Sequence, residues 1–450
     1  MSLRDFEAIL RRTEEALREL PLSDTDLTKV APKIAAGVLN VLVPISADSL
    51  FWDFAGKVNA VVDHFAADGL TLKAHLQAAL KQPPLFCQTP ETIQGNIEAV
   101  VDHFAADGLT LKAYLRAAVK QPPLFSQTPE TIQGNIEAVV KHFAADGLTL
   151  KAYLQAALKQ PPLFCQTPET IQGNIEAVVD HFAADGLTLT KYLQAAIRQP
   201  SLFYQKLSRI QGNIEGVVDH FAADGLTLTK YLQAAVKQAP LFCQTPETVQ
   251  GNIEAVVDHF AADGLTLKAY LQAAMKQPPL FSQKSTTIQG NIEAVVDHFA
   301  ADGLTLKAYL QAAVKQPPLF CQKPATLIRH LYLLKGMFER GLLPVDDGRS
   351  PVQQALHTAL GAPPLLGLAD SNLALKTIYA VRAQTDDLKP LRKNRGPLEA
   401  ELAKLLGHED LSEPVAKVPD TPSTEVQHAQ STVLRALIRQ GIISRGSLGD

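Results

Sequence analysis

From Gly56 to about Arg329 the chain is one block written seven times. Each copy is 39 residues long, and all seven carry the string HFAADGLTL without substitution. The glycines that open the copies, Gly56, Gly95, Gly134, Gly173, Gly212, Gly251 and Gly290, follow one another with no insertion or deletion. A fixed period of this length belongs to solenoids, whose units bury their apolar faces only by stacking on their neighbours. Function is then expected in ladders of equivalent residues rather than in one pocket. Identity this high points to recent duplication, so the positions where copies differ carry more information than those where they agree.

The stretch Thr89 to Phe125 serves as the unit. Thr89-Pro90-Glu91 is a helix start, with a hydroxyl to cap free amides, proline at the first helical position and an acid in the first turn. Ile93, Ile97, Val100, Val101 and Phe104 form one apolar stripe at helical spacing, and Asp107-Gly108 supplies the stop. Thr110 then caps a second helix with Leu111, Tyr114, Leu115, Ala118 and Val119 on its stripe. Pro122-Pro123 ends that helix, because proline cannot donate the next backbone bond. Leu124-Phe125 is predicted to form a short 3₁₀ plug. Gly95 lies inside the first helix at a cost of about 1 kcal/mol against alanine. Close approach of a neighbouring helix is the expected compensation.

The fold class that follows is all-α: a right- or left-handed superhelical α-solenoid of tandem repeats, each with two helices and a short 3₁₀ element, and capping helices at both ends. The predicted organisation is N-terminal capping helices over 1–55, the seven repeats over 56–328, degenerate repeats over 329–384, a basic then flexible linker over 385–425, and a final helix and tail over 426–450. Phe6, Ile9 and Leu10 lie on one face of the first capping helix, and Trp52 precedes the array. Gly361-Ala-Pro-Pro-Leu-Leu echoes the block end, with Asp346 to Ser350 as an insertion. Lys389, Arg392, Lys393 and Arg395 cluster beyond it.

Apolar residues make up 46% of the chain, enough for a core, yet no apolar run approaches the roughly 18 residues of a membrane span. The amino terminus, MSLRDFEAILRRTEEALREL, lacks the apolar centre of a signal peptide. Cys87, Cys165, Cys243 and Cys321 recur two blocks apart, beyond disulfide reach, and read as reduced thiols. A cytoplasmic or nucleoid-associated monomer is expected, without a membrane partner.

Net charge is −4, from 42 basic and 46 acidic residues. The signs separate by helix. Glu98 and Asp102 sit one turn apart on the first, whereas Lys112, Arg116 and Lys120 occupy successive turns of the second. Equivalents extend this basic ladder: Lys73, Lys81, Lys151, Lys159, Lys191, Arg198, Lys230, Lys237, Lys268, Lys276, Lys307 and Lys315. A solvated helix face and a phosphate track are the two readings of the stripe.

Order and composition of the block, Thr-Pro-Glu, apolar helix, Asp-Gly-Leu-Thr, second apolar helix, Lys-Gln-Pro-Pro-Leu-Phe, resemble the repeat of the mitochondrial transcription termination factor family. The resemblance covers Asp48 to about Gln384 and implies repeats that bind DNA or RNA along a basic concave surface. Leu85 to Glu91 also looks like the junction between repeats of bacterial transcription activator-like effectors, although the inter-helix loop, where those repeats read bases, is invariant here. The termination factors have diverged repeats and a transit peptide; this chain has uniform repeats and an acid-containing amino terminus. Uniform copies fit a bacterial protein, including one delivered into a host cell.

Copies differ most after Leu-Phe, where Cys87, Ser126, Cys165, Tyr204, Cys243, Ser282 and Cys321 occupy one position. Connector drift and a reading code are the alternatives. Tyr204 with Lys206 and Arg209 forms an aromatic beside two cations, a combination that can stack on a base and hold its phosphate. Lys141 stands where the other copies have aspartate. One histidine per block, His64 through His298, is spread too widely for a metal site and is expected to sit at the negative end of a helix. No phosphate loop, nucleophile motif or metal spacing occurs, so neither catalysis nor a cofactor is expected. A modular nucleic-acid-binding protein is the favoured reading. A protein- or peptide-binding scaffold, such as an effector acting on host proteins, is the alternative.

Overall fold

The computed structural model describes residues 3–40, 53–339, 348–361, 363 and 366. Trp52, the Asp346 end of the expected insertion, the basic cluster at Lys389 to Arg395 and the expected final helix lie outside them, as does the side chain of Phe6. Among the described residues every regular element is helical, and the helices recur in the order the block prescribes, an all-α solenoid. Packing separates two units, Met1–Gly212 and Asn213–Asp450, with the division inside the helix Leu207–His220.

In the first unit, helices Leu3–Leu17 and Asp24–Asn40 pack on each other and then on the first block, against Phe54–His64 and Pro83–Phe86 respectively. Ile9, Leu17, Leu27, Val30 and Ile34 are buried there, while Leu10 is half-buried. Blocks follow in a constant pattern. In the second copy it runs Pro90–His103, a 3₁₀ turn Ala105–Asp107, Leu111–Lys120 and the plug Pro122–Phe125. First helices pack on first helices and second on second, from copy to copy. The second unit repeats this arrangement and closes with Pro324–Glu339 packed on Pro351–Gly361. Its plug Pro279–Ser282 is a single α-helical turn instead of a 3₁₀ one.

Local chemistry explains these bounds. Thr110 Oγ1 accepts from Ala113 N at 3.3 Å, and Thr89 Oγ1 from Thr92 N at 3.3 Å, which satisfies amides left open at each helix start. The first helix ends a turn earlier than the Asp107-Gly108 signal suggests, at His103. Its last turn tightens into 3₁₀ and is closed by Leu109 N donating to Phe104 O at 3.2 Å and Gly108 N to Ala105 O at 3.1 Å. Gly108 carries φ +90°, and Phe104 and Leu109 both turn into the core. This is the Schellman arrangement with its apolar contact, which brings two bulky residues inside within six positions.

Stacking is carried by aromatic rungs. Tyr114 meets Phe164 of the next block edge-on with centroids 5.5 Å apart, and Tyr153 meets Phe203 at 5.4 Å. In the second unit Tyr231 meets Phe281 at 5.3 Å and Tyr270 meets Phe320 at 5.4 Å. Such edge-to-face pairs add about 0.5–1.5 kcal/mol to the burial itself. Most of these tyrosines also donate to a carbonyl ten residues on, as Tyr153 to Leu163 O at 3.3 Å and Tyr309 to Leu319 O at 2.9 Å.

The expectation for Gly95 is overturned. A side chain at Gly95, Gly134, Gly173, Gly212, Gly251 or Gly290 would meet nothing within 4 Å. These glycines face outward on the first helix, so no helix approaches them. Gly56 and Gly216 differ: a Cβ at Gly56 would collide with the Asp53 carboxylate that caps its helix, and one at Gly216 would stand 2.6 Å from the Pro246 ring. Gly95→Ala and Gly134→Ala should each stabilise the chain by about 0.5–1 kcal/mol in denaturant titration; a loss of stability would show that the glycine serves something at the surface.

The first block departs from the tyrosine rule. His75 occupies that position, edge-on to Phe125 at 5.2 Å, with its Nδ1 lacking a partner among the described residues. Burial pushes its imidazole from 6.5 down to about 4. A depressed folded value means that the unfolded chain takes the proton first. The neutral ring's contribution is therefore whole above about pH 6.5 and is lost as pH falls through about 4. His75→Tyr restores the hydroxyl aimed at Leu85 O. It should remove about 2 kcal/mol of the stability difference between pH 7 and pH 5, read by denaturant titration at both values; an unchanged pH dependence would contradict this.

Candidate functional site

Two faces are built differently in each unit. On the first-helix face, each histidine sits at a helix end as expected, and the Nε2 of five of them also reaches the glutamate 34 residues on, in the next block. His64–Glu98, His103–Glu137 and His142–Glu176 are each 2.7 Å in the first unit; His220–Glu254 and His259–Glu293 are 2.6 Å in the second. Each ring also stacks edge-on against the following phenylalanine, as His103 on Phe104 at 4.6 Å. In four copies the glutamine one turn before the glutamate donates to a carbonyl of the preceding first helix, for example Gln133 to Ala99 O at 3.1 Å and Gln289 to Ala255 O at 2.8 Å. The series ends at His298, which meets the Tyr332 hydroxyl at 2.9 Å. Half of the expected acidic ladder is thus tied between blocks.

On the second-helix face, all fifteen candidate cations are exposed. Lys73, Lys81, Lys112, Arg116, Lys120, Lys151 and Lys159 have no carboxylate within ion-pair distance among the described residues, nor do Lys237, Lys268, Lys276, Lys307 and Lys315 in the second unit. Lys191, displaced by one position, donates instead to Gly186 O of its own turn at 2.9 Å. Between the two cations of most copies lies an exposed glutamine, Gln77 or Gln155 for example. The helices bearing them pack side by side, so the Lys-Gln-Lys rungs recur along each unit.

The variable residues are placed elsewhere. Cys87, Ser126, Cys165, Tyr204, Cys243, Ser282 and Cys321 are half-buried and close the plug, whereas Lys206 and Arg209 are exposed. Tyr204 and Ser282 meet the glutamine that ends the second helix of the preceding block. Gln160 Nε2 donates to Tyr204 Oη at 2.5 Å and Gln238 Nε2 to Ser282 Oγ at 3.4 Å. Asn174 Nδ2 also donates to Tyr204 O at 3.2 Å. Serine and tyrosine share a polar atom on a short or slender stem, which is what this contact uses. Sequence reasoning missed both inter-block contacts. The recurring signal was present, because His and Glu stand 34 residues apart and Gln and the plug residue 44 apart in copy after copy.

No protein-family model matches the chain, and no curated protein matches it. Fold and surface therefore define its class: a tandem helical-repeat protein with an internally bonded acidic face and a cationic face. No group of metal ligands and no helix long and apolar enough to cross a membrane occurs among the described residues.

Burial pushes the thiols of Cys165 and Cys321 from 9.0 up to about 11, and that of Cys87 upward too, where Lys57 opposes the shift. Alkylation at pH 8 should therefore run about 100-fold slower at Cys165 and Cys321 than at a free thiol, followed by mass spectrometry of each peptide. Rates equal to a free thiol would mean that the plugs open readily.

Proposed function

We propose that this chain is a modular nucleic-acid-binding protein in which the cations of the second helices track phosphates of DNA or RNA. The observation that carries this reading is the asymmetry of pairing. Glutamates of the first helices are bonded to histidines of neighbouring blocks, while the second-helix cations stand exposed and, for the most part, without a partner among the described residues. The second helices carry cations and no acids, so the net charge of −4 understates how positive that face is. The resemblance of the block to the mitochondrial transcription termination factor repeat points the same way. A cytoplasmic or nucleoid location, or delivery into a host, is the setting such a partner implies.

A scaffold for amphipathic helices would need an apolar groove. Among the described residues Tyr332 is the large hydrophobic side chain left exposed, at 41%, and it is engaged by His298 and lies under Lys335. That favours the phosphate reading over the scaffold.

Affinity for a nucleic acid should fall steeply with salt. Replacing Lys112, Arg116 and Lys120 together by glutamine should flatten the slope of log K against log salt by about 0.9 for each phosphate of B-form DNA that is no longer neutralised. Measured by fluorescence anisotropy, absence of binding to DNA and RNA even at low salt would remove the proposal.

A further inference from the structure

We infer that binding is independent of base sequence, each unit gripping a uniform phosphate backbone with no reading code; this rests on the proposed nucleic-acid function and narrows it. The first reason is that outward chemistry repeats with the block. A ligand lying along the second helices of one unit meets a cation, a polar residue and a second cation at copy after copy, with Arg116 and Arg198 as substitutes and Lys191 and Lys230 one position later. Such a surface discriminates only what also repeats, and in a nucleic acid that is phosphate and sugar, not the order of bases.

The second reason concerns the position after Leu-Phe, where copies differ most. Tyr204, Ser282 and Cys165 are half-buried, and the hydroxyls of the first two accept from Gln160 and Gln238 of the preceding block. Ser126 and Ser282 also donate to carbonyls of their own plugs, Pro123 O at 3.2 Å and Pro279 O at 3.1 Å. Variation there tunes the joint between blocks instead of meeting bases.

The third reason is the lack of a stacking platform within the repeated blocks. Block tyrosines and phenylalanines are in the core, apart from the half-buried Tyr204, and the exposed histidine rings are bonded to glutamate and packed on phenylalanine. Recognition of splayed bases needs free aromatic faces on which they stack. Binding that relies on phosphate alone is the sequence-tolerant kind.

The full-length chain is to be titrated with fluorescent duplexes of several unrelated sequences and equal length, DNA and RNA, at one salt concentration, and with inorganic polyphosphate. Dissociation constants within about threefold across sequences of one duplex type are expected. Tyr204→Phe and Ser282→Ala should leave all of these constants unchanged, while Lys112→Gln with Lys120→Gln weakens every sequence by the same factor. A preference above about tenfold for one sequence, or a change of preference in Tyr204→Phe, overturns the inference and leaves nucleic-acid binding standing. Binding of no nucleic acid, with or without binding of polyphosphate, overturns the functional proposal itself.

Discussion

Everything in this chain depends on the ring that each second helix pushes into the plug of the next block. Tyr114 on Phe164 and Tyr270 on Phe320 are such contacts, and His75 on Phe125 starts the series. A plug of Pro-Pro-Leu-Phe is too short to make a core alone. It becomes buried only when the preceding tyrosine covers it, so each block completes its neighbour. Proline ends the second helix at the point where the chain must turn inward to deliver that phenylalanine.

With the core committed this way, polar residues divide the remaining work. Histidine, glutamate and the glutamine of the first helix bond first helices together. Gln160 and Gln238, which end second helices, meet the residues that close the next plugs. Exposed polar contacts of this type contribute only about 0–1 kcal/mol each, so their effect on stability is small beside the aromatic rungs. Their larger consequence is geometric, since they fix the offset of one first helix on the next.

Much of the block was legible in the sequence because its signals are local. Thr-Pro-Glu, Asp-Gly and Pro-Pro fix their breaks through caps, a left-handed glycine and missing donors, and each acts within a turn or two. The tightened turn at Ala105–Asp107 was not foreseen, because the stop signal sits one turn beyond the last α-helical residue. Contacts between blocks were illegible from any one copy. His103 finds Glu137, and Gln160 finds Tyr204, only once the offset between stacked helices is known. Gly95 misled for the same reason, since its surroundings are set by the stack and not by its own helix.

The claim that the second-helix face meets the nucleic acid is tested most directly by lysine acetylation footprinting on the intact chain, with and without duplex DNA and duplex RNA. Lys112, Lys120, Lys151 and Lys159, and in the second unit Lys268, Lys276, Lys307 and Lys315, should be protected on binding, while Lys141 on a first helix keeps its rate. Protection of Lys141 with undiminished acetylation of the second-helix lysines would contradict it.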